Sequence, residues 1–263
     1  MRKSLFVILM FVAAGLVLTA APVSAKTVKF TFATTNGAKD FSSQAMVRWM
    51  EAMEKESNGE LKMNFIPGGA LGGDKDLLQQ LSTNEIQLHV AGPVIVHHLL
   101  NEYQCMEAEF VYEDEAHGFR VWNGPLRDEL NKKLKEKYDI TIVGVASRGA
   151  RQLTTKKPVT KPSDLEGVKI RVTNKLRQKI FKAYGALPAP LPISELYGGL
   201  QQGVVEAQEN PISTIWGNKF YEVQDYINLT GHVWSYWVIS ANNSFIESLS
   251  PEHKKIFFST LDK

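Results

Sequence analysis

Cysteine is almost missing from this 263-residue chain. Cys105 stands alone, so no intramolecular disulfide can form and stability must come from a hydrophobic core. Cys105 lies among Met106, Phe110 and Val111 with no Cys-plus-His pattern around it, and reads as a buried structural thiol, not a nucleophile. An excess of one charge is missing as well. The chain has 30 Lys+Arg against 28 Asp+Glu, and Arg2 and Lys3 supply the whole difference, so the groups from residue 26 onward balance. That balance offers nothing to draw in nucleic acid or an anionic lipid surface. A Gly-x-Ser-x-Gly nucleophile elbow is absent. His89, His97 and His98 have no Cys or carboxylate at ligand spacing, so neither a metal nor a cofactor is expected. The run from Gly68 to Gly73 lacks both a Lys-Ser/Thr ending and dinucleotide spacing, and reads as a permissive strand-to-helix turn. Glu113-Asp114-Glu115 reads as a solvated helix start.

The long apolar run is confined to the N-terminus. Arg2 and Lys3 precede an almost purely apolar stretch from Leu5 to Leu18, and Val23-Ser24-Ala25 sets small residues before Lys26. This is the pattern of a secretory signal peptide over residues 1–25, too short to span a bilayer. An uncleaved membrane anchor is the alternative. No Cys follows the run, which argues against a lipid-anchored form. The 263 residues less 25 leave 238, enough for one large domain or two ordinary ones.

From Lys26 onward the chain alternates between strand and helix periodicities. Strands are expected at Val28–Phe32, Leu61–Ile66, Ile86–Ala91, Ile140–Ala146 and Val168–Val172. Helices are expected at Ser42–Ser57, ended by Asn58-Gly59, then at Asp74–Ser82, in a long charged stretch Ala116–Tyr138, at Asn174–Tyr184 and at Ser194–Gln202. Ser163 and Glu166 have capping spacing, and Pro188–Pro192 reads as a stiff connector. Such alternation implies an α/β fold with parallel or mixed sheets covered by helices.

Chemistry then rests on arginines in unusual places. Arg171 lies inside the short apolar strand Val168–Val172, where a guanidinium must be paired or must face a polar opening. Arg148 and Arg151 follow the strand ending at Ala146, at the edge where parallel sheets open to ligands. Arginine suits bidentate capture of a carboxylate. A salt bridge inside the protein is the competing reading for each.

The segment Arg151-Gln152-Leu153-Thr154-Thr155 and the run Pro162–Val172, ending Lys169-Ile170-Arg171-Val172, resemble the solute-binding proteins of tripartite ATP-independent periplasmic (TRAP) transporters. Gly185-Ala186, Glu195-Leu196-Tyr197, Leu200–Glu206, Glu209-Asn210-Pro211, Phe220–Val223 and Thr230-Gly231-His232 continue the resemblance in order, as does Leu71-Gly72-Gly73-Asp74. It implies a two-lobe periplasmic binding protein, a type II-like clamshell, with residues 26–148 plus 237–263 as one lobe and 149–236 as the other. It implies that Arg171 forms the main salt bridge to a ligand carboxylate, with Arg151 and Asn210 as further contacts and Ile193 lining the pocket. It also implies a non-enzymatic, monomeric periplasmic subunit that hands its ligand to TRAP membrane permease subunits without entering the membrane.

Departures from the family pattern narrow the ligand. Sialic-acid-type members carry a pocket Glu where this chain has Gly92, Ile193 replaces an aromatic of some members, and Glu206-Ala207 stands for the usual Asp-Gly. Family members usually continue past the equivalent of Lys263 with a long bracing helix, so either a fragment or an unbraced form is expected. Thr34 and Thr35, with Asn36, end the first strand at a crevice position and could donate to ligand hydroxyls or cap the next helix. Trp234 and Trp237, with Trp216 and Tyr236, could form a stacking wall or belong to the core. The expected ligand is a small organic acid, a uronate or other hydroxy or oxo monocarboxylate first and a C4-dicarboxylate or aromatic acid next. A binding protein feeding a sensor kinase, and a periplasmic enzyme using the same cleft, are the competing function classes.

Overall fold

The computed structural model describes residues 27–262; the expected signal peptide lies outside them. Strands β1 (Val28–Ala33), β2 (Leu61–Ile66) and β3 (Leu88–Ala91) run parallel in the order β2-β1-β3. Helix α1 (Phe41–Glu56) joins the first two and α2 (Asp74–Ser82) the next two. The sheet then turns mixed. β9 (Trp234–Asn242) pairs antiparallel with β3, and β4 (Ile140–Thr155) pairs antiparallel with β9.

Period-two alternation sorts the side chains into two cores. Phe30 and Phe32 of β1, Leu88 and Val90 of β3, and Trp237 and Ile239 of β9 pack against Met46, Trp49 and Met53 of α1. Those three helical residues follow the i, i+3, i+7 stripe that a sheet-covering helix needs. Tyr236 and Val238, pointing the other way from β9, join the second core. It is built under α2, α3 (Val94–His98), α4 (Glu115–Trp122) and α5 (Pro125–Tyr138). Each large apolar side chain buried in this way contributes roughly 1.5–3 kcal/mol. Among the described residues, no helix is long and apolar enough to cross a membrane.

β4 carries the chain into a second sheet. As far as Ala150 it pairs with β9; from Arg151 it pairs with β7 (Gln208–Pro211) and, from Leu153, with β8 (Tyr226–Asn228). β5 (Lys169–Val172) pairs parallel with β6 (Leu187–Pro190), and a bridge from Ile170 to Ala207 links that pair toward β7. α6 (Lys175–Ala183) and α7 (Ile193–Gln201) cover this half, with two smaller cores around Phe181 and Phe220. α8 (Ile212–Gly217) comes directly after β7, while α9 (Asn243–Ser248) and α10 (Pro251–Leu261) return to the first half.

Four expectations are corrected. The stretch Ala116–Tyr138 is two helices, because Gly124 takes the N-cap position and Pro125 opens α5 at N1, where a missing N–H costs nothing. The Pro188–Pro192 connector is largely strand β6; its prolines are tolerated on a strand that pairs on one side only. Ser163 and Glu166 do not cap a helix; Asp164 Oδ2 instead accepts from the backbone N–H of Thr160 and Lys161 around a short 3-10 turn. Cys105 is exposed, since its 3-10 segment turns Tyr103 and Met106 inward in its place.

Gly118 of α4 sits where an added Cβ would overlap the hydroxyl of fully buried Tyr236 and come within 2.7 Å of its ring. Alanine ordinarily gains ~1 kcal/mol over glycine inside a helix. Here overpacking of ~1–3 kcal/mol opposes that gain. Gly118→Ala is therefore expected to lower the thermal unfolding midpoint; a raised midpoint would contradict this packing.

Candidate functional site

A compact cavity of about 70 Å³ opens where the ends of β1 and β3 face β4, β5 and β7. Larger hollows, of about 250, 260 and 740 Å³, lie elsewhere. The smaller cavity is the candidate site because three guanidinium groups, Arg148, Arg151 and Arg171, converge on it.

Local backbone geometry brings two of them together. Residues three apart on a regular strand face opposite sides of the sheet. Between Ser147 and Gly149 the β4–β9 register shifts, and Gly149 adopts φ +86°, the left-handed conformation glycine allows. This bulge inserts a residue and re-aims the strand, so Arg148 and Arg151 both reach the same cavity. The strand thus runs on past Ala146, its expected end, to Thr155.

The three arginines are not equivalent. Arg151 is 2% exposed and tied to Glu209 by a salt bridge through Nε, with Nη2 donating to Glu209 Oε1 at 2.9 Å and to Asn210 Oδ1 at 3.2 Å. Glu209 also lies 3.5 Å from Arg177 Nε and 3.2 Å from His232 Nε2. Burial would raise the Glu209 carboxyl, but Arg151 and Arg177 outweigh it and hold the group well below the usual range. Arg177, fully buried, completes this cluster by pairing Glu109 at 2.9 Å and lying 3.7 Å from Glu107. Within it, Arg177 Nε, Glu109 Oε2 and Glu107 Oε1 have no hydrogen-bond partner among the described residues.

Arg171 stands apart from it. Its side chain is 5% exposed, Nε donates to the Leu191 carbonyl at 2.8 Å, and the buried Nη1 has no hydrogen-bond partner among the described residues. No described carboxylate oxygen lies within 4 Å of it. Burial draws this guanidinium down to about 10. Arg148 is likewise without a carboxylate; Nη2 and Nε donate to Thr214 Oγ1 at 2.8 and 3.2 Å, and the group lies 4.0 Å over the Trp237 ring. Desolvation first, and Arg151 next, pull it down to about 9.

The other expected residues divide. Asn210 and Ile193 line the cavity, as does Thr35, whose hydroxyl donates to Asp74 Oδ1 at 2.8 Å. Thr34 does not: its hydroxyl donates to the Val90 carbonyl at 2.7 Å and accepts from the Asn36 N–H, so it fastens β1 to β3. Trp234 packs partly buried against the core under α4. Trp237 lies in the α1 core and meets the cavity only through Arg148. Trp216 stacks on Tyr221 at the surface, 62% exposed.

A sequence profile described as "Bacterial extracellular solute-binding protein, family 7" matches residues 32–263. The chain belongs to that family. Family 7 relatives agree with it in sequence and shape. The 2,3-diketo-L-gulonate-binding periplasmic protein YiaO of Escherichia coli (strain K12) is 28% identical over 253 residues, covering 95% of this chain and 76% of YiaO. The sugar acid binding protein DctPAm from Advenella mimigardefordensis, solved in complex with galactonate, superposes with TM-score 0.84 at 28% identity, over 90% of this chain and 77% of that one. A TRAP periplasmic solute binding protein from Ochrobacterium anthropi, with bound L-fuconate, superposes with TM-score 0.79 at 32% identity, over 89% and 78%. The two-lobe α/β fold and the TRAP solute-binding character implied by the motifs thus hold for this family 7 chain.

Reading the sequence missed the acidic half of the candidate site. Glu107 lines the cavity 1% exposed, with Oε1 unpartnered. Arg177 escaped notice although it shares the buried face of α6 with Phe181, four residues on. A lone arginine at an apolar helical position was the available signal. His97, against Glu107 at 3.9 Å and Asn174 at 3.0 Å, is held neutral: burial, then Arg177, lowers it to about 3.

Burial raises Glu107 from 4.5 to about 7, against the pull of Arg177. The folded chain therefore binds this proton more tightly than the unfolded chain, and Glu107 costs stability progressively as pH rises from 4.5 to 7. His97, lowered from 6.5, acts in the opposite sense below that value. Glu107→Gln removes only the first effect. The stability of the variant relative to the parent should rise between about pH 5 and about pH 8. A relative stability that is flat or falls over that range contradicts the assignment.

Proposed function

We propose that this family 7 protein captures a sugar acid or other small hydroxy acid between its two lobes, with the carboxylate on Arg171. The observation that carries this reading is the Arg171 guanidinium, enclosed at the cavity with one N–H group unpartnered and no carboxylate within 4 Å. An unpaired buried charge is costly, and a ligand carboxylate removes that cost as it binds. The sugar acids bound by the structural neighbours support the ligand class. Asn210 and Thr35 stand ready as polar contacts, and Ile193 as an apolar wall.

The lobes in this reading are residues 26–148 with 237–263, and residues 149–236. β4 and β9 pass between them as paired strands beside the cavity. The open form presents Arg171 to solvent; the carboxylate then favours the closed form by its difference in affinity for the two. The protein acts as a monomer without catalysis. It delivers its ligand to TRAP membrane permease subunits after export to the periplasm and cleavage after Ala25. Intact mass of chain recovered from the periplasm should correspond to an N-terminus at Lys26; a mass that retains the leader contradicts cleavage.

Nε of Arg171 is already fixed by the Leu191 carbonyl, which orients the fork toward the cavity. Lysine has no such fork. Arg171→Lys and Arg171→Ala should both weaken binding of D-galactonate or L-fuconate by roughly tenfold to a hundredfold, the worth of one or two charge-assisted hydrogen bonds. The thermal midpoint shift caused by either acid should shrink accordingly. An unchanged shift in both variants excludes Arg171 as the anchor.

A further inference from the structure

We propose that Arg148 is a second anion-binding group of this site and selects hydroxy acids that carry a carboxylate at each end. The proposal rests on the reading of Arg171 as the first anchor and extends it to the far end of the ligand.

Four observations carry it. First, the cavity holds two guanidinium groups that the protein leaves without a carboxylate. Arg151 and Arg177 are neutralised by Glu209 and Glu109, while Arg148 and Arg171 lie outside that cluster with no described carboxylate oxygen within 4 Å. Second, the other acid lining the cavity, Asp74, is engaged elsewhere: it accepts from Thr35 and lies 3.6 Å from His89. Asp40, whose charge also acts on Arg148, caps α1 through Oδ1, which accepts from the Ser42 N–H at 2.9 Å; its buried Oδ2 has no hydrogen-bond partner among the described residues and does not come within 4 Å of Arg148.

Third, Arg148 is held in place without being neutralised. Thr214 Oγ1 takes Nε and Nη2, Asn210 Oδ1 lies 3.5 Å from Nη2, and the Trp237 ring backs the group at 4.0 Å. Neutral acceptors and an aromatic face fix the orientation of a guanidinium and leave its positive charge standing. Fourth, Gly92 makes the room. A Cβ at that position would lie 2.8 Å from Arg148 Nη1, so glycine lets the remaining N–H groups enter the cavity beside Thr35 and Asn36. With an acidic side chain at 92, Arg148 would gain a partner from the protein itself.

Two fixed cations at one small cavity repel each other, and a monoacid answers only one of them. A hydroxy diacid answers both, and its intervening hydroxyls meet Thr35 and Asn210 between the two ends. Arg148 therefore sets specificity rather than basal capture.

Matched pairs of acids that differ only in the oxidation of the terminal carbon test this. Isothermal titration of the full chain would compare D-galactonate with galactarate, and D-erythronate with meso-tartrate. The diacid of at least one pair should bind about tenfold tighter or more, the worth of a second charge-assisted contact. Arg148→Gln should bring that ratio near one. If both monoacids bind the parent as tightly as their diacids, or if Arg148→Gln folds and leaves the preference intact, the proposal is overturned. In that case monoacid binding that is lost in Arg171→Lys leaves the anchor reading standing. Failure of all four acids to bind overturns both. Should Arg148→Gln not fold, the comparison on the parent chain still decides.

Discussion

An unpaired positive charge beside a small cavity is the constraint around which the rest of this molecule is arranged. Arg171 lies on β5 with its neighbours Ile170 and Val172 in the core, so its backbone is fixed by the sheet. Its side chain is oriented by a single carbonyl and left otherwise uncompensated. Behind the same cavity, Arg151 and Arg177 are paired with carboxylates. Glu209 alone meets Arg151, Arg177 and His232. Balanced groups next to an unbalanced one are what a binding site for an anion requires, because a compensated guanidinium gives a carboxylate little reason to leave water.

The fold supplies rigidity to that arrangement from several directions. The bulge at Ser147–Gly149 turns Arg148 and Arg151 toward one opening, and it falls on the strand that both sheets share. The Glu209 cluster joins β4, β7, α6 and the loop before β9. Arg177 also reaches Glu107 and Glu109, which precede α4, and so ties the two halves of the chain together. Movement of one half against the other therefore bears on the ionic cluster as well as on the cavity. Glu107 sits at that junction, poised between protonation states near neutral pH.

Much of the fold was legible because it depends on local periodicity. β2 and α2 match their expected bounds, and the Asn58-Gly59 end of α1 takes positive φ at both residues. The failures have physical causes. β4 continues past Ala146 because a bulge absorbs Ser147 and Gly149, and long-range pairing with β7 and β8 decides what local sequence does not. The site was legible in part. Arg171 stood out as a charge inside an apolar strand. Arg148 stood at the expected crevice edge but was not among the expected ligand contacts, Arg151 is held by Glu209, and Thr34 turns to Val90. Which arginine is spoken for depends on contacts 58 and 66 residues away in the chain, beyond any motif.

A crystal structure with D-galactonate bound tests the central claim most directly. The account predicts the carboxylate in hydrogen-bonding contact with Arg171 Nη1, with the Arg151–Glu209 pair intact behind it. Ligand density in one of the larger hollows, or Arg171 turned onto a carboxylate of the protein, would contradict it.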